Sequence, residues 1–317
     1  MTCARLQKDM KVFAVGPKEN WIVDRIVAEW RDSSQDLSTH DIRDADLIWL
    51  ASGWVWRQIP IDLLRKKKVV ATIHHIVPGK FTRESLSSFL ERDRIVDEYH
   101  VPCKKTKDFI SKITKKPINV IGYWYNPEMW FPAEKKEARE SIGISENAYV
   151  VGSFQRDTEG SDLVSPKLEK GPDLFIEHVK KIKKDNLLVL LGGWRRQYII
   201  KRLEEEGIDY KYIELAPVEK LRQMYAACDL YVVSSRHEGG PQALLEASAM
   251  GIPVISRDVG MANDILSENC VIDIPKSLYF PTENDISFGI ENSENFKLKT
   301  LVEEYNNMFK RILGHCV

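Results

Sequence analysis

The chain has 317 residues, 43% hydrophobic and 29% charged, the profile of a soluble globular protein long enough for two ordinary cores. No apolar run approaches the roughly 20 residues of a membrane-spanning helix, and the N-terminus lacks the apolar core of a secretion signal. Five scattered cysteines (Cys3, Cys103, Cys228, Cys270, Cys316) form no CxxC pair and no even disulfide framework, so a cytoplasmic protein with reduced thiols is expected.

The net charge of −1 conceals a division. Residues 1–131 carry 22 basic and 17 acidic residues, whereas residues 132–317 carry 24 and 30. Runs such as Arg65 to Lys68 read first as solvated surface, but the basic part allows a peripheral contact with an anionic membrane face. No nucleic-acid partner is expected.

In chain order, the first half alternates short apolar runs with longer amphipathic ones. KVFAV is followed by a helical pattern from Trp21 to Trp30, DLIWLA by one near Ile59 to Arg65, and VVATI by one from Thr82 to Leu90; TKDFISKI separates DEYHV from INVIG. Parallel strands need crossover connections, so this alternation predicts a parallel sheet with helices on both faces. YWYNPEMWFPAEKKEARESIGISENA, with two prolines and a charged run, reads as a connection between domains. The pattern then restarts with AYVVGSF, a helix over 172–182, NLLVLLG, a helix near 199–205, DYKYIEL, a helix over 217–227, DLYVVSS, a helix from Pro241, PVISRD and CVIDI. A long amphipathic helix closes the chain. Two α/β Rossmann-like domains are predicted, over 1–131 and 132–295, with 296–317 as a terminal helix. Ligands of such sheets sit at the carboxyl ends of the strands.

The loop after DLYVVSS has the strongest local signal. Proline suits the first helical position and glycine the cap before it, so Gly239-Gly240-Pro241 predicts a helix N-terminus. Free amides there, with no side chains on two successive residues, suit a phosphate. Glu238 precedes this helix and Glu246 lies on it, about 7.5 Å along the axis from Pro241 by the rise per residue. On local grounds alone, Glu238 faces the positive helix end and Glu246 is a surface residue.

The run YIELAPVEKLRQMYAACDLYVVSSRHEGGPQALLEASAMGIPVISRDVGMANDIL, Tyr212 to Leu266, resembles the donor-domain signature of the retaining GT-B glycosyltransferases of family 4, with EGGP, LLEA, GIPV and DVG at that family's spacing. The resemblance implies a GT-B fold, in which two Rossmann-like domains face a central cleft and a C-terminal helix crosses back to the N-terminal domain. It implies a nucleotide-sugar donor on the second domain and an acceptor glycan, glycolipid or other hydroxyl compound on the first. In the family's E-x7-E motif, Glu238 would bind hydroxyls of the transferred sugar and Glu246 the ribose. Gly239, Gly240 and Pro241 would lie by the diphosphate or sugar, while His237 reads as a loop residue.

Breaking a sugar-diphosphate bond builds negative charge on the departing nucleotide, and fixed cations aimed there lower the barrier. In GSFQRDTEGSDLVSPKLEKGPDLF, Lys170 stands before Gly171 as in the family's K-G signature. Many relatives carry an arginine directly after the strand glycine, where this chain has Ser153; Arg156 or Lys167 would take that role. The resemblance implies no metal and no cofactor. Asp44-Ala45-Asp46 matches a metal-binding DxD but precedes a strand-like run, the wrong end of the sheet, and reads as a turn and strand start.

In the first half, VVATIHHIVPGKF resembles the family's strand ending in a histidine, with His74 in the histidine place as a second catalytic candidate and His75, where relatives have Asp, as an acceptor-side candidate that reads equally as an exposed loop residue. GPKENW has neither GxGxxG nor GK[ST], which removes dinucleotide and P-loop readings; Gly16 is still expected by the donor. Trp54 and Trp56 suit acceptor stacking, and equally a packing patch. Two other readings stay open: a sugar phosphorylase or epimerase on the same fold, and a non-catalytic nucleotide-sugar-binding subunit.

Overall fold

A computed structural model describes residues 10–19 and 22–314, so Trp21, Cys3 and Cys316 lie outside the described residues. The chain divides into two compact units, one formed by the chain up to Gly122 together with the chain from Leu298, the other by Tyr123–Lys297.

The first unit contains β1 (Val12–Val15), α1 (Ile22–Ser33), β2 (Leu47–Leu50), α2 (Ile61–Leu64), β3 (Lys68–Thr72), α3 (Arg83–Asp93), β4 (Glu98–Val101), α4 (Lys104–Ile110) and β5 (Ile118–Val120). The strands are parallel in the order β1-β2-β3-β4-β5. On the outer side of β1 the chain adds one parallel bridge, Val12 with Ser38. β1 thus has neighbours from both directions of the winding, which makes it the point where strand order reverses.

Alternate residues of each strand serve opposite faces. Ile48, Leu50, Val69, Ala71, Tyr99 and Val101 join Leu64 and Phe89 in one core. Trp49, on the opposite face of β2, packs against Trp30 of α1 at 5.5 Å between ring centroids.

The second unit contains α5 (Lys135–Ile142), β6 (Tyr149–Ser153), α6 (Pro172–Val179), β7 (Leu187–Gly192), α7 (Gln197–Glu206), β8 (Tyr210–Ile213), α8 (Val218–Ala226), β9 (Leu230–Val233), α9 (Gln242–Ala249), β10 (Val254–Ser256), α10 (Ala262–Ile265) and α11 (Glu283–Ser293). Its parallel strands run β10-β9-β6-β7-β8. The order reverses between β6 and β9, so the loops that leave these two strands flank the switch point.

The closing helix α12 (Leu298–Ile312) belongs to the first unit. Phe309 lies 5.7 Å from Trp30 and 5.6 Å from Trp49 between centroids, and Trp30 Nε1 donates to Asn306 Oδ1 at 2.9 Å. Edge-to-face aromatic pairs add about 0.5–1.5 kcal/mol each beyond area burial, so this cluster binds α12 firmly to α1 and β2.

Three sequence expectations change. The charged run before AYVVGSF is the helix α5, because Ala138, Arg139 and Ile142 share a buried face and Arg139 donates to Ala227 O and Asp229. Residues 123–131 pack in the second unit, with Trp130 buried at 5.7 Å from Tyr225, so the first boundary falls at Gly122. CVIDI forms no strand beyond a single bridge of Val271 to Ser256; Pro275, lacking an amide hydrogen, follows at once.

Candidate active site

Lys170 and Glu238, both singled out in the sequence, come together where β6 and β9 end. Lys170 Nζ lies 2.5 Å from Glu238 Oε1, with little exposure of either side chain. Ser235 Oγ donates to the same Oε1 at 2.9 Å, and Gln155 Nε2 donates to Lys170 O at 2.9 Å. The neighbouring Lys167 is pushed below its ordinary pKa, first by burial and then by the charge of Lys170, with Arg156 adding to the repulsion and Glu169, 4.0 Å away, and Glu238 opposing it. Three cations and two carboxylates therefore share this loop region.

Two glycines make the loops fit. Gly171 has φ +62, and a Cβ there would stand 2.0 Å from Ser234 O. Gly260 has φ +53, and a Cβ there would meet Gly239 O at 2.4 Å. A side chain at either position would push the cation loop or the DVG loop off the segment 234–241. A bidentate pair clips the same loops: Arg236 donates to both carboxylate oxygens of Asp173 at 2.7 and 2.6 Å and to Leu168 O at 2.8 Å.

Glu238, Gly239 and Gly240 lead directly into α9. The helix begins at Gln242, so Pro241 occupies the cap, with ψ 113, rather than the first helical position. Gln242 Nε2 donates to Trp124 O at 3.0 Å. Glu246 is not a surface residue: it is 4% exposed, and its Oε2 accepts the Tyr225 hydroxyl at 2.9 Å. A buried carboxylate is costly unless bonded, which marks Glu246 as a placed group.

Arg156 is turned aside from the Lys170–Glu238 pair. Its Nε donates to Thr158 O at 3.0 Å and its guanidinium lies over Trp194, 5.1 Å from the ring centroid. The position after the strand glycine is filled from elsewhere: Arg196, fully buried, donates to Ser153 O, to Ser153 Oγ and to Asp157. Arg196 and Asp157 anchor the segment 157–167, whose ends are joined by a Thr158–Pro166 bridge.

In the first unit, the candidates also stand at carboxyl ends of strands. His74 follows β3 and its Nε2 is 3.1 Å from Ser52 Oγ, in the loop after β2. Burial, then the charges of His75 and His100, push His74 down to about 3, so the ring is neutral at any ordinary pH. Trp54 is 46% exposed, 6.2 Å from His74 between ring centroids. Trp56 packs against the core of the first unit instead, with Arg57 over its ring. His75 is half-buried beside His74.

Gly16 is in a loop already filled from within. Asp24 accepts the amides of Lys18 and Glu19 at 2.9 and 2.8 Å, and a Cβ on Gly16 would meet its Oδ1. Those amides are not open to a phosphate. Asp46 accepts the amide of Lys11 and precedes β2, at the amino end of the sheet. Sequence reasoning missed Ser235, Gln155, Tyr225, Asp173 and Ser52. The apolar-flanked Tyr in RQMYAACDLY was the one available signal for a buried hydroxyl.

The two parallel α/β units have the fold of the GT-B glycosyltransferases. HepE of Anabaena, solved in complex with UDP and glucose, aligns with a TM-score of 0.76 over 95% of this chain and 100% of that chain at 14% identity. WaaG, a glycosyltransferase involved in lipopolysaccharide biosynthesis, gives 0.62 over 96% and 100% at 15% identity. Within this fold, residues 165–279 match the Glycosyl transferases group 1 family. The alpha-galactosylglucosyldiacylglycerol synthase of Streptococcus pneumoniae is 25% identical over 166 residues, which are 50% of this chain and 42% of that protein. The chain thus spans less than half the length of that relative.

Proposed function

We propose that this protein is a retaining glycosyltransferase that needs no metal and moves a sugar from a nucleotide sugar to a hydroxyl of an acceptor. The observation that carries the reading is the Lys170–Glu238 pair, with Lys167 beside it, at the switch point of the second sheet and next to the start of α9. Glu246 holds the ribose and Glu238 the sugar hydroxyls, while Gly239, Gly240 and Pro241 border the diphosphate. That HepE was solved with UDP and glucose supports a nucleoside diphosphate sugar as donor.

The transfer balances without a protein nucleophile. The bond between the anomeric carbon and the diphosphate oxygen breaks, its electron pair leaving with the diphosphate. The acceptor oxygen bonds to the same carbon, and its proton passes to the departing phosphate. Lys170 and Lys167 stabilise the charge that develops, with Arg156 joining them once it leaves Trp194. Neutral His74 and exposed Trp54 serve the sugar and the acceptor. Polysaccharide or glycolipid assembly, with a peripheral membrane contact of the basic unit, is the setting suggested by the named relatives.

A calorimetric screen of nucleotide sugars against the whole chain tests the reading. Binding of one of them, with transfer of its sugar to an added acceptor, is expected. Binding with release of sugar phosphate, isomerisation of the donor, or no turnover with any acceptor would each replace it.

A further inference from the structure

The first unit holds a concavity at the outer edge of β1. After the single bridge of Ser38 to Val12 the chain turns off, and among the described residues no strand lies along the outer edge of β1 from Phe13 to Gly16. A cavity of about 760 Å³ opens there. It lies at the carboxyl end of the strand where the winding reverses, the position at which open α/β sheets hold ligands.

Its walls are of two kinds. Phe13, Ile42, Ile59 and Pro60 are apolar, whereas Lys18, Arg31 and His40 bring hydrogen-bond donors. Backbone adds another. Val12 takes up Leu37 O and Thr39 N on this edge, so the amide and carbonyl of Ala14, two residues on, face the same way. Arg31 donates Nη2 to that carbonyl, and its buried Nε has no partner.

Acid is scarce around these donors. Asp24, the one carboxylate among the described lining residues, already accepts the Lys18 and Glu19 amides. Burial works against the Arg31 charge, which Asp32 offsets in part. A half-buried cation with a spare donor is stabilised by an anion that replaces its lost water.

We propose that this cavity binds an organic anion with an apolar body, its phosphate or carboxylate meeting Arg31 and Lys18. The site is independent of the transferase reading.

Hexyl phosphate, hexanoate and hexanol, titrated separately against the full chain by calorimetry and NMR, test it. Both anions are expected to bind, and hexanol at least about tenfold more weakly, the loss of one charge-assisted contact. The tighter anion identifies the acid group. Ala28→Trp, at an exposed position of α1 on the cavity wall, fills the space, and Arg31→Gln keeps a donor for Ala14 O while removing the charge. Each should weaken hexyl phosphate about tenfold or more. Failure of both anions, hexanol binding as tightly, or wild-type affinity in both variants overturns the site.

Discussion

Tyr225 Oη and Glu246 Oε2 meet at 2.9 Å in the interior of the second unit, joining the helix before β9 to the helix after it. The carboxylate is thereby held in one orientation before any ligand arrives. Tyr225→Phe should weaken nucleotide binding about tenfold through lost preorganisation, and Glu246→Ala by more, because a carboxylate bond to ribose is charge-assisted. Calorimetry with a nucleoside diphosphate measures both. Unchanged affinity in Glu246→Ala would remove the ribose role.

Lys170→Ala should lower kcat by about 10²–10³, the range for removing one fixed donor to a developing anion. Since the same substitution also frees Glu238, KM for the donor should shift too. Lys170→Arg should recover part of kcat. Near-normal turnover in Lys170→Ala would take this residue out of leaving-group stabilisation.

Activity should survive exhaustive chelation, since the charge on the leaving group is met by side chains. A rate that collapses with chelator and returns with magnesium or manganese would contradict the cation argument.

Asp157→Ala should destabilise the second unit by about 3–5 kcal/mol, because it leaves the wholly buried Arg196 without its counter-charge. Urea denaturation reads this directly. A loss under about 1 kcal/mol would mean that the carbonyls of Ser153 and Gly192, which Arg196 also meets, suffice to hold it.

Stability should fall as pH drops below about 6.5, where unfolded histidines take up protons. Burial pushes His100 and His178 down to about 4 and His74 to about 3. Between those values and about 6.5 the unfolded chain binds protons that the folded chain refuses, so the contribution is whole above this window and lost through it toward acid. Urea midpoints at pH 8, 7 and 5 check the sign, and His100→Gln, which retains polar atoms for Thr72 and Ile121, should flatten the slope. Equal midpoints at pH 7 and 5 would contradict it. His74, neutral throughout, should contribute no limb to the rate profile at those pH values.

What was legible in the sequence was what is local. The alternation of apolar runs gives both sheets, and Lys170, Glu238, Gly239 and Gly240 lie in loops at carboxyl strand ends. Glu246 was harder: a helix position reads as exposed unless the buried Tyr225, 21 residues earlier, is known to face it. The same holds for Arg196 and Asp157, 39 residues apart, each of which reads alone as a solvated loop charge. α5 was masked by its charges, because three buried positions in eight carry too little periodicity to stand out. Asp24, reaching back to its own loop, turned an apparently open glycine turn into a closed one.

The segment anchored by Arg196 and Asp157 has a practical meaning. Its closing contacts are Lys167 N to Asp157 O, Glu159 N to Ser165 O and the Thr158–Pro166 bridge, so residues 160–164 are a cap outside a closed ring. Length and composition there can drift or be engineered while Lys167 and Lys170 keep their places. Such a cap is a port at which an attachment can be added or removed without touching the residues of the candidate site.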